Sequence, residues 1–155
     1  MVPYLDLINH SDKNNTYWFY EDSKEGYSLI ALEDIDINKE ITISYGKYCN
    51  SVLYKNYGFV VPGNIYHEHI NAILCNETFE LNIDNLKNNV KDIFDTINKR
   101  KGKNINEIKK CILKDLNDKK KYYSQLKTNR YFMNVIINEH LDILNKYIYE
   151  VMNYI

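Results

Sequence analysis

The 155-residue sequence predicts an α+β chain, β-rich in its first part and α-helical in its second. Three observations predict it. Both prolines and four of the five glycines fall before residue 75, which gives that part the punctuation of strands and turns. Aromatic and β-branched residues gather there in short runs, a composition suited to a pleated, half-buried surface. Beyond that point apolar residues recur every three or four positions, the period of an amphipathic helix.

The elements follow in order. Tyr17-Trp18-Phe19-Tyr20 is expected to be a strand, Glu21 to Gly26 a polar turn, and Tyr27 to Leu32 a second strand. Asp34 to Glu40 is a loop in which Asn38 suits a left-handed turn, because its short polar side chain tolerates that conformation. Ile41 to Ser44 is a third strand, with Ile41 and Ile43 on one face, and Gly46 ends it. Asn50 is expected to cap a short helix running to Tyr57, and Pro62-Gly63 marks the next break. Asp84 is the expected cap of a helix carrying Leu86, Val90, Ile93 and Ile97, ended by Gly102. A second helix carries Ile108, Ile112, Leu116, Tyr123 and Leu126. The last carries Met133, Ile137, Leu141, Leu144, Ile148 and Met152, with a second stripe of Phe132, Ile136, Ile143 and Tyr147 beside the first. So wide an apolar arc places that helix against more than one neighbour, central to a small helical lobe.

Composition narrows the class of partner. A formal net charge of −1 argues against duplex DNA or an anionic membrane as a dominating partner. Lys99-Arg100-Lys101 and Lys119-Lys120-Lys121 read as solvated helix ends and faces, with a contact to an acidic partner as the alternative. No apolar run approaches the roughly 20 residues of a membrane span, and Asp6 interrupts the N-terminal apolar stretch where a signal peptide would continue. Cys49, Cys75 and Cys111 are widely spaced with no Cys-x-x-Cys pair, so an intracellular, reducing compartment, cytoplasm or nucleus, is expected. His67-Glu68-His69 suggests a metal cluster, but no cysteine or carboxylate cluster completes the three or four converging ligands such a site needs, and no metal is expected.

Three segments carry the chemistry: Pro3-Tyr4-Leu5-Asp6-Leu7-Ile8-Asn9-His10-Ser11, Glu40-Ile41-Thr42-Ile43-Ser44-Tyr45-Gly46, and Asn50 through Tyr57-Gly58-Phe59-Val60. In this order and spacing they resemble the C-terminal half of the SET domain of protein methyltransferases, and more narrowly the subgroup related to the RuBisCO large-subunit methyltransferases. Asn129-Arg130, Glu139, Ile143 and Leu144 are similar to the final helix of that subgroup's helical lobe. The resemblance implies residues 1–75 as the C-terminal portion of a SET domain and 76–155 as a helical substrate-binding lobe. It implies methyl transfer from S-adenosylmethionine to a side-chain nitrogen of a protein, lysine in the first place and histidine as a variant of the same chemistry.

Residue by residue, the resemblance makes Tyr45 the active-site tyrosine. With an unperturbed pKa of ~10, its hydroxyl serves better as an oriented dipole than as a base at neutral pH. Asn9 and His10 match the cofactor-binding pair, His10 mainly through its backbone. Tyr57 and Phe59 match residues lining the cofactor pocket and lysine channel, and Asp6 matches a position near the substrate nitrogen, with a capping role as its alternative. The family's domain begins well upstream with a Gly-x-Gly loop. No Gly-x-Gly occurs in this sequence, so the chain is expected to be part of a longer enzyme. The competing expectation is a non-catalytic protein-interaction module built on a SET remnant.

Overall fold

A computed structural model describes residues 2–126 and 128–155. The elements are β1 (Asn9–His10), β2 (Thr16–Glu21), β3 (Gly26–Ala31), β4 (Thr42–Ile43), α1 (Asn50–Tyr57), β5 (Ile70–Leu74), β6 (Glu77–Leu81), α2 (Leu86–Lys101), α3 (Ile105–Gln125) and α4 (Tyr131–Asn153). Short 3-10 turns occupy Leu5–Leu7 and Asp22–Lys24. The class is α+β, as the sequence predicts. The chain divides into two compact units between Tyr48 and Cys49.

In the first unit β2 and β3 form an antiparallel hairpin, pairing Tyr17 with Ile30, Trp18 with Leu29 and Tyr20 with Tyr27. On one face the rings of Trp18 and Tyr20 both lean on Tyr27, at 5.6 and 5.2 Å between centroids. Beside the hairpin, β1 and β4 form a parallel pair with Asn9 opposite Thr42 and His10 opposite Ile43. Parallel pairing requires a long crossover, and here the whole β2–β3 hairpin lies in it. Asn38 takes the left-handed conformation expected of it, at φ 70°. The third strand is shorter than expected. Only Thr42 and Ile43 pair, and Ile41 is exposed while Ile43 is buried. Buried polar side chains fix this region instead. Asn15 accepts the Thr42 N–H at 2.8 Å and donates to the Glu40 carbonyl at 2.9 Å, and Thr16 Oγ1 donates to the Thr42 carbonyl at 2.8 Å.

The second unit holds the hydrophobic core. Ile70, Ala72, Leu74 and Leu81 of the β5–β6 hairpin pack with Val90, Ile93, Phe94 and Ile97 of α2, Ile108, Ile112 and Leu116 of α3, and Ile143, Leu144, Tyr147 and Val151 of α4. Each such aliphatic side chain contributes roughly 1.5–3 kcal/mol on removal from water. The helix periodicities foresaw most of these residues, and α4 is the helix that buries the widest set. Its buried line runs through Ile136, Ile137, Ile143, Leu144, Tyr147 and Val151, while Met152 faces outward. The hairpin β5–β6 was not foreseen: its turn, Cys75-Asn76, has both residues at positive φ without the glycine that usually announces one.

Two expected caps are also corrected. Asn50 is the first residue of α1 and Cys49 its cap; the Asn50 side chain turns inward, away from the helix N-terminus. The cap of α2 is Asn85 rather than Asp84, and neither side chain closes the helix start. Asn104 does cap α3, accepting the Glu107 N–H at 2.9 Å. Gly102 ends α2 at φ 57°, a conformation glycine adopts without penalty.

Candidate active site and its relatives

The site builds outward from the β1–β4 pair. The chain leaves β4 through Ser44 and reaches Tyr45, whose N–H donates to Nδ1 of His10 at 3.1 Å. Because Nδ1 accepts, the proton of the neutral imidazole sits on Nε2, which lies 3.2 Å from Oδ1 of Asp12. The His10 side chain is only 1% exposed, and its ring lies 5.3 Å from the Tyr45 ring, tilted by 39°. His10 therefore sets the backbone and ring of Tyr45.

The Tyr45 hydroxyl donates to the Ile8 carbonyl at 2.8 Å, which returns the tyrosine to the start of β1. With its proton committed there, the oxygen lone pairs are what the group offers to anything else. Gly46 follows at φ 128°, and a Cβ there would stand 2.5 Å from the Tyr48 ring. A side chain at that position would displace the ring as well as strain the turn.

Asn9 neighbours this corner. Its Nδ2 donates to Glu40 Oε1 at 2.6 Å, leaving the amide oxygen of an exposed residue to accept from a ligand. Glu40 was not singled out by sequence reasoning. Its position in the segment ending at Tyr45-Gly46 was the available signal. Asp6 lies in the first 3-10 turn, exposed, where its carboxylate accepts the Val2 N–H at 2.9 Å. This is a local contact to a residue before the turn, whose start no side chain caps. Tyr57 and Phe59 belong to the second unit. Tyr57 closes α1 and Phe59 follows its glycine cap, with rings 6.2 Å apart. The structure thus brings His10 and Tyr45 together and joins Asn9 to Glu40.

The second unit contains a polar cluster of its own. Asn50, fully buried, accepts the Val61 N–H at 2.7 Å and donates to the Val61 carbonyl at 3.0 Å and to Glu139 Oε1 at 2.6 Å. Glu68 accepts the Ser51 N–H at 2.6 Å and lies 3.4 Å from His140 Nε2. Burial alone would push the Glu68 carboxyl up, but the contacts from His140 and Ser51 outweigh it and hold the group below the usual carboxylate value. Burial pushes the Glu139 carboxyl the other way, upward, and the charge of Glu68 adds to the shift against the hydrogen bond from Asn50. His69 instead meets Glu80 at 3.1 Å on the surface. Glu68 and His69 therefore turn to different partners.

Comparison with known proteins places these features in a family context. The SET domain family model matches residues 2–46, the segment that contains Asp6, Asn9, His10 and Tyr45. SET domain-containing protein 8 of Schizosaccharomyces pombe is 39% identical over 61 residues, 39% of this chain and 14% of that protein. Ribosomal lysine N-methyltransferase 2 of Saccharomyces cerevisiae is 30% identical over 105 residues, 59% of this chain and 21% of that protein. Ribosomal lysine N-methyltransferase 4 of the same yeast is 31% identical over 103 residues, 57% and 20% of the two chains. The chain thus spans about a fifth or less of the length of these curated relatives. No solved structure gives a significant match. The chain carries a segment of SET-domain sequence and is similar to proteins named as lysine methyltransferases.

Proposed function

We propose that this chain contributes the tyrosine-bearing part of a protein methyltransferase that uses S-adenosylmethionine and modifies a lysine side chain. The observation that carries the proposal is the coincidence of the SET-domain match at residues 2–46 with the His10–Tyr45 corner inside it. Residues 1–75 would be the C-terminal portion of the SET domain, of the RuBisCO large-subunit methyltransferase type, and 76–155 its helical substrate-binding lobe.

The chemistry asks little of acid–base groups. S-adenosylmethionine supplies an activated methyl on a sulfonium, and transfer to nitrogen is an in-line displacement by a neutral amine. Alignment therefore supplies much of the rate, and desolvation lowers a lysine pKa toward the reactive form. Tyr45 suits such a site. Its hydroxyl proton is engaged by Ile8, so its oxygen presents lone pairs toward positive charge. Asn9 and Glu40 offer an amide oxygen and a carboxylate, acceptors that suit the N–H donors of the ammonium of a methionine-like group. His10, buried and spent on the Tyr45 backbone, would act through main-chain contacts and as a positioning residue. Tyr57 and Phe59 would supply aromatic walls, and Asp6 would sit toward the substrate amine.

The alternative is a protein-interaction module on a non-catalytic SET remnant. One observation favours it: Tyr45 and Asn9 each already bond a neighbour within the unit. Methylation of a cell lysate by the full-length protein, with mass-spectrometric mapping of the modified side chains, separates the two. Enzyme-dependent methyl-lysine supports the methyltransferase. Its absence, with cofactor binding lost as well, supports the module.

A further inference from the structure

Cys75 and Cys111 are bonded to each other across 36 residues, joining the β5–β6 turn to α3. We infer that this pair is a reversible thiol–disulfide site, closed by a low-molecular-mass disulfide such as oxidised glutathione and opened by the corresponding thiol.

The first ground is the placement of Cys75. It sits in a two-residue hairpin turn at φ 53°, a conformation that disfavours a side chain with a Cβ and is usually given to Asn or Gly. Such an outlier points to a use for the sulfur. The second ground is redundancy. The same turn is tied down without the disulfide: the Cys75 N–H donates to Asp115 Oδ2 at 2.7 Å, Lys101 Nζ donates to the Cys75 carbonyl, and Leu74 is buried in the core with Ile108 and Ile112. Opening the S–S bond therefore leaves the two cysteines held near each other, ready to close again.

The order of events follows from access. Cys75 is buried and Cys111 only half-buried. The Cys111 thiolate attacks one sulfur of oxidised glutathione and releases one glutathione. Cys75 thiolate then attacks the Cys111 sulfur and releases the second. Two electrons pass from the protein dithiol to the glutathione disulfide, and the two thiol protons end on glutathione.

The test equilibrates the full chain in glutathione buffers of stepped redox ratio, traps thiols with N-ethylmaleimide and reads mass and thermal midpoint. The expected result is three labels in reducing buffer and one, on Cys49, in oxidising buffer, with the midpoint rising by roughly 5–10 °C on closure of a loop this long. Cys49→Ser should retain the two-label change and the rise, and Cys111→Ser should abolish both. Peptide mapping of the unmutated chain keeps the test decisive if Cys111→Ser fails to fold. Three labels at every ratio would overturn the inference. So would zinc, found by metal analysis to protect both thiols from label, since Cys75, Cys111 and Asp115 also lie close enough together to hold a cation.

Discussion

At the residue scale, the side chains that matter most are polar ones placed where water is excluded. Asn50 is the clearest case. Its amide satisfies both backbone groups of Val61 and one oxygen of Glu139 from a fully buried position. Asn50→Ala should destabilise the second unit by about 3 kcal/mol, because it strands those partners rather than removing a matched pair. Urea unfolding of the variant measures the loss. Glu68 carries a pH signature. Its folded carboxyl lies below its ordinary value, so its contribution is fully present above that ordinary value and is lost as the pH falls through the folded one. Glu139, shifted upward, works in the opposite sense and opposes folding as the pH rises through its folded value. Glu68→Gln should therefore flatten the acid limb of a plot of unfolding midpoint against pH, and an unchanged limb would count against the pairing with His140. In the sequence Glu68 was visible only as a doubtful metal ligand between two histidines. What it does depends on His140, 72 residues away, which no local pattern announces.

Elements were legible where periodicity and punctuation agreed. The helices α2, α3 and α4 follow apolar steps of three and four, and Gly102 marks the end of α2 as expected. The hairpin β2–β3 follows its aromatic runs. The hairpin β5–β6 was not legible. Its strands alternate buried and exposed residues as they should, yet its turn lacks glycine and it adjoins a helical stretch whose period dominated. Caps were the weakest inference, since Asn, Asp and Ser are abundant and only geometry shows which one bonds a free N–H. Asn50 and Asp84 looked like caps and are not, whereas Asn104 is one. Asn104→Ala should lower the stability of the second unit by about 1 kcal/mol, read as a shift in the urea midpoint without a change in slope. No shift would mean that the Asn104–Glu107 contact contributes nothing in solution.

At the scale of the whole molecule the two units differ in how they are held. The second has a continuous core of strand and helix residues. In the first, Ile43 is the one buried apolar side chain among the described residues, and Trp18, Tyr20, Tyr27, Leu29 and Ile30 remain exposed on the hairpin. Such a unit is marginal on its own, and this chain by itself should bind S-adenosylmethionine weakly, which isothermal calorimetry measures; micromolar binding would contradict that expectation. The candidate site was read from the sequence as an ordered set of short motifs, two of which lie in the segment that the SET domain model matches. The hydroxyl of Tyr45 on Ile8, the ring of His10 under its backbone and the hold of Glu40 on Asn9 were not, because each is a contact between segments brought together by folding. The most direct measurement is transfer of labelled methyl from S-adenosylmethionine to protein by the full-length protein and by its Tyr45→Phe variant, at equal cofactor occupancy. The expected rate is at least about tenfold lower in the variant, equivalent to ~1.4 kcal/mol of lost transition-state stabilisation; equal rates would remove Tyr45 from the chemistry.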